Sequence, residues 1–437
     1  MFYISLLVVI YAYGVASVRY KLFPYTLLTK AISSFNLTVQ EADNLTHTKP
    51  TFFLQPARYP GNGVTVNKLP PDNSDLIFMT GFFDNDNGLR LIKRNGEVVA
   101  HWKTLFNKLF TRADHLPVPP STNWNVDIHG ATINPDGSVI FNFEYSGLVK
   151  LDHCGKVLWT LPVMSHHSIV RAEHGGYWIP GRRVYPMGAK SHLPPFVPPF
   201  NEDTIMHISE QGEVLKEISV PALFYPSGML PILTATGKPF FRDYVWGDDI
   251  VHVNKVAELT TDLAKAFPMF SAGDLLLSLR ERNLLMVVDP DKQLIKWWHI
   301  GPWLRQHDAD FNADGTITMF NNNIFRSSLQ HLDISSVNTP RVSNILAFDP
   351  KTNHTKVLYG GTKTQQLLSI IRGKQHATAG GGLFITEFEG GRAFETDSKG
   401  DIIWQYVNRY DEQHVAELTQ ASLYPNNYFT ITDWSCK

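Results

Sequence analysis

Histidines recur along the chain at the start of short apolar stretches that are typical of β-strands. Imidazole is a ligand of zinc, copper and iron, a general base near neutral pH, and a nucleophile toward phosphoryl or sulfuryl centres. One histidine on a strand is most often structural, but recurrence at one place of a repeat predicts that several imidazoles converge. We expect two to four of them to be functional and the others to hold neighbouring repeats together. Six residues share the position: His129, His167, His252, His307, His376 and His414.

These histidine stretches alternate with strand–turn–strand cassettes that must position them. In each cassette a short apolar strand runs into a polar turn and returns as a strand rich in Val, Ile or Leu. A repeat of this period predicts a propeller or a similar array. We therefore predict an all-β fold, a six-bladed β-propeller whose innermost strands line a channel and carry the histidines. The cassettes begin at Gly88, Gly147, Thr204, Leu284, Asn344 and Gly391.

The first and last repeats are each incomplete. The last one opens with His414 and has no outer cassette, whereas the cassette at Gly88 has no histidine strand before it. We predict that the C-terminal strand or strands complete the blade that begins near Asp75. Closing the ring in this way removes exposed sheet edges.

Composition excludes several classes of protein. The 437 residues carry a formal net charge of -2, with 43% hydrophobic and 18% charged residues, so a nucleic-acid partner has no electrostatic basis. Two cysteines, Cys154 and Cys436, exclude a disulfide scaffold and a CxxC zinc site. A single bridge from the C-terminus to an early blade and two unpaired thiols both remain open.

The N-terminus has the character of a membrane signal. Phe2 to Val18 carries no charge, and Arg19 and Lys21 follow it. Its length is at the lower edge of a membrane span. Because the basic residues follow the apolar stretch, the positive-inside rule favours the opposite orientation, but we predict an anchor with the large domain outside the cytoplasm. A cleaved signal peptide and a buried N-terminal strand or helix are the alternatives. The predicted divisions are residues 1–21 (anchor or signal), 22–73 (linker and loop) and 74–437 (catalytic propeller).

Two insertions interrupt the repeats. One runs from Arg182 to Phe200 and is rich in proline and aromatic residues, and the other runs from Tyr225 to Trp246. Long loops in a compact fold are usually lids or binding loops. Their aromatic residues predict contacts with an aromatic ligand, and contact with a second subunit in a homo-oligomer is the competing interpretation.

The segments around three of the histidines resemble the arylsulfotransferase family. The similarity spans residues 75–437 and depends on the ordered set of motifs together with the six repeats. The family forms six-bladed propellers and occurs in the bacterial periplasm, often with a short N-terminal signal. The motifs are Asp249–Asn254 (DIVHVN), Gln306–Ala309 (QHDA) with Asn321–Asn323 and Arg326 after it, and Gln375-His376.

The resemblance implies a role for each matching residue. His376 would be the nucleophile that takes the sulfuryl group from a phenolic sulfate ester. His252 and His307 would hold the sulfate oxygens and help to protonate the leaving phenolate. Arg326 would neutralise the charge on the equatorial oxygens. Positioned cationic donors suit this chemistry because the SO3 group in transfer carries negative charge on three oxygens, much like a phosphoryl group.

The implied activity is sulfuryl transfer from an aryl sulfate to a phenolic acceptor, with no cofactor, no metal and no nucleotide sulfate donor. The chain has no P-loop that would bind such a donor. Glu387 and Glu389 are candidates for fixing the second nitrogen of His376. The runner-up function is a non-catalytic propeller that binds a ligand or protein, and the third is a metal- or quinone-dependent redox propeller.

Overall fold

A computed structural model describes residues 2–20, 22–25, 27, 28, 31, 32, 42, 46–116, 118–235, 249–324 and 343–436. The chain divides into two compact units, Met1–Phe52 and Phe53–Lys437. Arg326, one of the predicted site residues, lies outside the described residues.

Among its described residues, the first unit contains one long helix, α1 (Phe2–Tyr20). With a mean hydropathy of 1.6, α1 is long and apolar enough to cross a membrane. The same length and composition fit a signal sequence, so α1 agrees with the predicted anchor or signal.

The second unit begins with strands that run from the N-terminal segment into the propeller. Blade 1 takes its three outer strands, β3 (Leu76–Phe83), β4 (Asp86–Lys93) and β5 (Val98–Lys103), from the first cassette region. Two strands precede them in the chain, β1 (Leu54–Pro56) and β2 (Gly63–Asn67).

Blades 2 to 5 are antiparallel four-stranded sheets, each formed by consecutive strands. Blade 2 contains β6 (Ile128–Ile133), β7 (Val139–Phe143), β8 (Gly147–Leu151) and β9 (Val157–Leu161). Blade 3 contains β10 (Val170–Arg171), β11 (Tyr177–Tyr185), β12 (Phe200–Ile208) and β13 (Val214–Ser219). Blade 4 contains β14 (Val253–Glu258), β15 (Leu275–Leu279), β16 (Leu284–Asp289) and β17 (Leu294–Ile300). Blade 5 contains β18 (His307–Phe311), β19 (Ile317–Asn321), β20 (Asn344–Asp349) and β21 (His354–Gly360).

The ring closes at blades 6 and 1. In blade 6, β2 pairs with β25 and adds a fifth strand at the outer edge, while in blade 1 the C-terminal β27 pairs with β3 as the innermost strand. The closure predicted from the two incomplete repeats is therefore confirmed. The remaining strands are β22 (Lys374–Ala377), β23 (Leu383–Glu387), β24 (Arg392–Thr396), β25 (Ile402–Val407), β26 (His414–Ala416) and β27 (Leu418–Tyr424), and β26 pairs with β1.

Short helices lie in the connections between strands. The α-helical turns are α2 (Phe106–Leu109), α3 (Leu230–Thr234) and α4 (Thr261–Ala264). The 3₁₀ turns are Thr51–Phe53, Asn123–Asn125, Pro221–Phe224, Arg280–Arg282, Phe388–Gly390 and Asn426–Tyr428.

The core lies between neighbouring blades. Second strands such as β7, β15 and β23 are buried along their whole length, because both faces of a blade pack on its neighbours, whereas β11 is buried only in its first five residues. Outer strands such as β17 alternate between buried and exposed residues, since one face meets solvent. The predicted all-β, six-bladed propeller is confirmed.

A disulfide joins Cys154, in the turn after β8, to Cys436 near the C-terminus. The segment between β27 and Cys436 packs on blade 2, where Phe429 is buried in the same apolar cluster as Phe141. Of the two alternatives left open by the sequence, a single bridge to an early blade is therefore correct and a pair of free thiols is not.

The first insertion is shorter than the sequence predicts. Strand β11 extends to Tyr185 and β12 starts at Phe200, so only the residues between them form a loop. Arg182 is consequently on a strand, paired with Asp203. In the second insertion α3 is described, and residues 236–248 lie outside the described part of the chain.

Candidate active site

Five histidines from four blades meet where the inner strands of the propeller begin. We call this set, His129, His166, His167, His252 and His307, the axial histidine cluster. The rings of His129 and His167 are 3.7 Å apart between centroids, those of His167 and His252 5.1 Å, and those of His167 and His307 5.9 Å. The sequence singled out four of these residues, and His166 was not among them.

Backbone geometry brings the cluster together. His167 and His252 have left-handed backbone conformations, with φ of 53° and 56°, just before the inner strands of their blades. Next to His129, Gly130 permits a close approach of two blades, because a Cβ at this position would lie 1.8 Å from the carbonyl oxygen of His167. The turns before β10 and β14 thus bring the imidazoles of His167 and His252 together, and the close approach of the blades places His129 beside His167.

Blades 6 and 1 contribute other residues at this level. Arg372, with φ of 56°, stands just before β22, and its backbone N–H donates to Nε2 of His307 at 3.3 Å. Glu417 stands immediately before β27 and is buried. The expected ring of six equivalent imidazoles is therefore a ring of four histidines, one arginine and one glutamate.

His376 and His414 lie away from the cluster. His376 is within β22, in register with Phe384, on which its ring stacks at 5.3 Å. Its Nε2 accepts a hydrogen bond from the backbone N–H of Leu423 at 3.4 Å. His414 is on β26, outside the inner strands, and its Nδ1 is 2.7 Å from Asp411 Oδ1.

The repeated Gln-His pair explains why the sequence grouped His307 with His376. In blade 5 the amide of Gln306 donates to Ser278, the fourth residue of β15. In blade 6 the amide of Gln375 donates to Thr318, the second residue of β19. The two dipeptides are thus anchored at positions that differ by two residues along the second strand of the preceding blade, which places His376 further along the channel.

Four of the five histidines of the cluster, His166, His167, His252 and His307, have a ring nitrogen held by a neighbouring side chain. Nδ1 of His252 is 2.6 Å from Asp249 Oδ2, and Nδ1 of His307 is 2.7 Å from Asn322 Oδ1. His166 Nδ1 and His167 Nδ1 are 2.7 Å apart. Such contacts fix ring orientation and tautomer, because a neutral imidazole has one donor and one acceptor nitrogen.

The imidazoles of the cluster are neutral at physiological pH. Burial lowers the pKa of all five, and for His129 burial together with Arg372 lowers the pKa to about 3. For His252, burial and then the guanidinium of Arg280 lower the pKa, and the carboxylate of Asp249 opposes them. Neutral rings supply the lone pairs that nucleophilic or general-base chemistry requires.

Arginines and carboxylates surround the imidazoles. Arg372 is ion-paired with Asp127 and lies 3.2 Å from Glu144. Arg182 lies over the ring of Tyr145, 3.6 Å from its centroid. Arg280 Nη2 is 3.4 Å from His252 Nδ1. None of these arginines was singled out as catalytic from the sequence, since each is separated by many residues from the histidine it approaches.

A second polar layer lies further along the channel, in a cavity of about 150 Å³ that His376 lines. Lys255 Nζ is 3.1 Å and Lys374 Nζ 3.3 Å from Asp308 Oδ1. Burial acts to raise the pKa of Asp308, but the two ammonium groups hold it well below its usual range. Burial lowers the pKa of His376 to about 4. This layer combines a neutral imidazole with two cationic side chains.

The two acids considered as partners of His376 have other contacts. Glu387 is ion-paired with Arg58 and Arg392, and Glu389 accepts the backbone N–H of Ile370 at 2.5 Å. Within the described residues, three possible metal ligands lie close together only at His153, Cys154 and Cys436, and there both sulfurs form the disulfide.

Comparisons with solved structures find many chains of low identity. A protein of unknown function from Bacteroides caccae has a TM-score of 0.44 at 12% identity, covering 76% of this chain and 93% of its own. Virginiamycin B lyase from Staphylococcus aureus has a TM-score of 0.41 at 11% identity, covering 82% and 88%. The Neurospora crassa Pan2 WD40 domain has a TM-score of 0.40 at 10% identity, covering 78% of both chains.

No curated protein matches the chain. The family model described as Arylsulfotransferase (ASST), in contrast, matches residues 130–409, well over half of the sequence. The match runs from the residue after His129 to the end of β25 in blade 6, and so includes the other four histidines of the axial cluster and His376. The chain belongs to the arylsulfotransferase family.

Proposed function

We propose that this protein transfers a sulfuryl group from a phenolic sulfate ester to a phenolic acceptor through a sulfohistidine intermediate. Family membership supports aryl sulfotransferase activity in general. The observation that carries the proposed mechanism is the axial histidine cluster, in which neutral, oriented imidazoles lie beside arginine side chains. A neutral imidazole is the nucleophile for such an intermediate, and fixed cations stabilise the charge of the SO3 group in transfer.

The proposed donor is an aryl sulfate and not a nucleotide sulfate. In a ping-pong route the donor leaves its sulfuryl group on the enzyme and departs as a free phenol before the acceptor binds, so the two phenols use one site in turn. No phosphate-binding loop is required. The physiological phenols are to be identified by assay.

The family resemblance assigns His376 as the sulfuryl acceptor, His252 and His307 as ligands of the sulfate oxygens, and Arg326 as the neutralising cation. The neighbouring ammonium groups of Lys255 and Lys374 support an anion-handling role for the layer that contains His376. Support for His252 and His307 comes from their adjacent positions in the axial cluster.

We further propose that the propeller works outside the cytoplasm, in the bacterial periplasm, anchored by the N-terminal helix. The disulfide supports this location, because such bonds persist in oxidising compartments. The division into residues 1–21, 22–73 and 74–437 remains part of the proposal, as does a homo-oligomer formed through the Pro-rich insertion.

The test is a turnover assay with the full-length chain in detergent, using 4-nitrophenyl sulfate as donor and phenol as acceptor. We expect nitrophenol release that depends on phenol. His376→Asn, His252→Asn, His307→Asn and Arg326→Gln variants test the residue assignment, and loss of one preorganised group typically lowers the rate about 100- to 1000-fold. Absence of release by folded protein with a panel of phenols would favour a non-catalytic binding propeller.

A further inference from the structure

Asp249 and His252 form a fixed carboxylate–imidazole pair in the axial cluster. Oδ2 of Asp249 is 2.6 Å from Nδ1 of His252 and 2.6 Å from a guanidinium nitrogen of Arg182, and its Oδ1 accepts from Asn201 at 2.9 Å. Burial acts to raise the pKa of Asp249, but the contacts with His252 and Arg182 hold it well below its usual range. Asp249 is therefore an ionised acceptor, and Nδ1 of His252 carries the proton.

The other nitrogen of His252 consequently has a free lone pair. Nε2 is buried and has no hydrogen-bond partner. A buried polar atom without a partner costs about 1–3 kcal/mol, so its retention favours a role in binding or chemistry. The guanidinium of Arg280 lies 3.4 Å from Nδ1 of the same ring and places a fixed cation beside the imidazole.

The other two histidines assigned from the family lack this combination. Nε2 of His307 accepts from the backbone N–H of Arg372, and its Nδ1 is bound to Asn322. Nε2 of His376 accepts from the N–H of Leu423, so the proton of its neutral ring is on Nδ1 and its free nitrogen is a donor. A donor suits the binding of sulfate oxygens, whereas attack on sulfur requires a lone pair.

We infer that His252 is the residue that receives the sulfuryl group and that Asp249 is its positioning residue. The inference rests on the proposed function and moves the nucleophile from His376 to His252. Nε2 attacks the sulfur of the aryl sulfate, an N–S bond forms, and the S–O bond to the aryl group breaks with its electron pair leaving on the phenolate. Asp249 balances the positive charge that develops on the ring. A phenol oxygen then attacks sulfur and loses its proton to solvent, and the N–S pair returns to Nε2.

Peptide mapping of wild-type protein tests the inference without any variant. The full-length chain is mixed with ³⁵S-labelled 4-nitrophenyl sulfate in the absence of phenol, quenched at alkaline pH and digested. We expect the label on the peptide that contains His252, and its discharge when phenol is added. His252→Asn should then carry no label.

An Asp249→Asn variant tests the positioning role. We expect turnover to fall about 100-fold or more. Because Asp249 acts to raise the pKa of His252, its removal should also move the acid limb of the rate profile to lower pH. A purely structural defect would lower the rate without moving the limb. Asp262→Asn, at an exposed residue paired with Lys265, is the matched control and should leave both unchanged.

The outcomes separate the inference from the proposed function. Phenol-dependent turnover with the label on His376 or His167 would overturn the inference and leave sulfotransferase activity intact. Stoichiometric transition metal in active protein would also count against it, because a metal would occupy the lone pair of Nε2. Folded wild-type protein that neither releases nitrophenol nor takes up label would remove both proposals.

Discussion

The guanidinium of Arg372 lies 3.2 Å from the carboxylate of Glu144, an ion pair that joins blade 6 to blade 2 across the beginning of the channel. Arg372 also pairs with Asp127, which precedes β6, and its own backbone N–H holds His307. Arg372, just before blade 6, thus contacts residues of both blade 2 and blade 5. Removal of Arg372 would leave two carboxylates without their cation in a largely buried place.

We therefore expect Arg372→Met to be strongly destabilising. Breaking a buried ion pair by removing one partner typically costs about 3–5 kcal/mol in the free energy of unfolding. Chemical denaturation monitored by tryptophan fluorescence measures the change. Arg112→Met is the control, because the Arg112–Asp114 pair is 83% and 72% exposed and should contribute at most about 0.5 kcal/mol. Equal losses in the two variants would contradict the role of burial.

Arg280→Gln should change both the rate and its pH dependence. Loss of the cation beside His252 is expected to lower turnover about 100-fold. Burial and then Arg280 lower the pKa of His252, so this variant should move the acid limb to higher pH, opposite to Asp249→Asn. Arg183→Gln, at a partly exposed arginine paired with Glu217, should leave the profile unchanged. A shift in the same direction for Asp249→Asn and Arg280→Gln would disprove this electrostatic account.

Glu417→Gln should become more stable relative to wild type as the pH rises. Burial, with Asp127 adding to it, raises the pKa of Glu417 to about 8. Its contribution to stability is complete below the unfolded-state value of about 4.5 and is lost as the pH rises through 8. Glutamine resembles the protonated acid at every pH, so the difference between the two proteins should grow by about 2–4 kcal/mol between pH 5 and pH 9. Denaturation midpoints at several pH values measure it, and a difference that is independent of pH would argue against the raised pKa.

Cys154→Ser with Cys436→Ser should weaken the propeller at its seam. The bridge closes a loop across a sequence separation of 282 residues, and removal of a native disulfide typically costs about 2–5 kcal/mol. We expect a lower denaturation midpoint for the double variant, and a reducing agent should lower the midpoint of wild type alone. If reduction left wild type unchanged, the bond would have no role in stability.

The sequence predicted the fold well because the relevant signal is local and repeated. Each cassette, such as the one at Gly147, contains its own turn residues and alternating strands, so blade number and ring closure follow from counting. Packing between blades adds little that the pattern does not already contain.

The site was predicted less completely because the register between neighbouring blades depends on contacts between residues that are far apart in the sequence. The Gln-His pairs at His307 and His376 look alike, but a two-residue difference in how Gln306 and Gln375 bond to the preceding blade places the histidines at different depths. Arg372 carries no motif, and only the folded ring brings it near Glu144. His252 and Asp249 were recognised as parts of one motif, but the motif alone does not predict that the carboxylate of Asp249 holds the ring of His252.

The disulfide also decides how the molecule responds to a mechanical pull. The covalent loop between Cys154 and Cys436 encloses the outer strand of blade 2, all of blades 3 to 5, β22 to β25 of blade 6 and the C-terminal strand of blade 1. Tension applied between the two ends of the chain is carried through the sulfur atoms and bypasses every residue inside the loop. The segment before Cys154 can then be drawn out, while the residues within the loop, the axial histidines after His129 among them, remain unloaded until the bond is reduced.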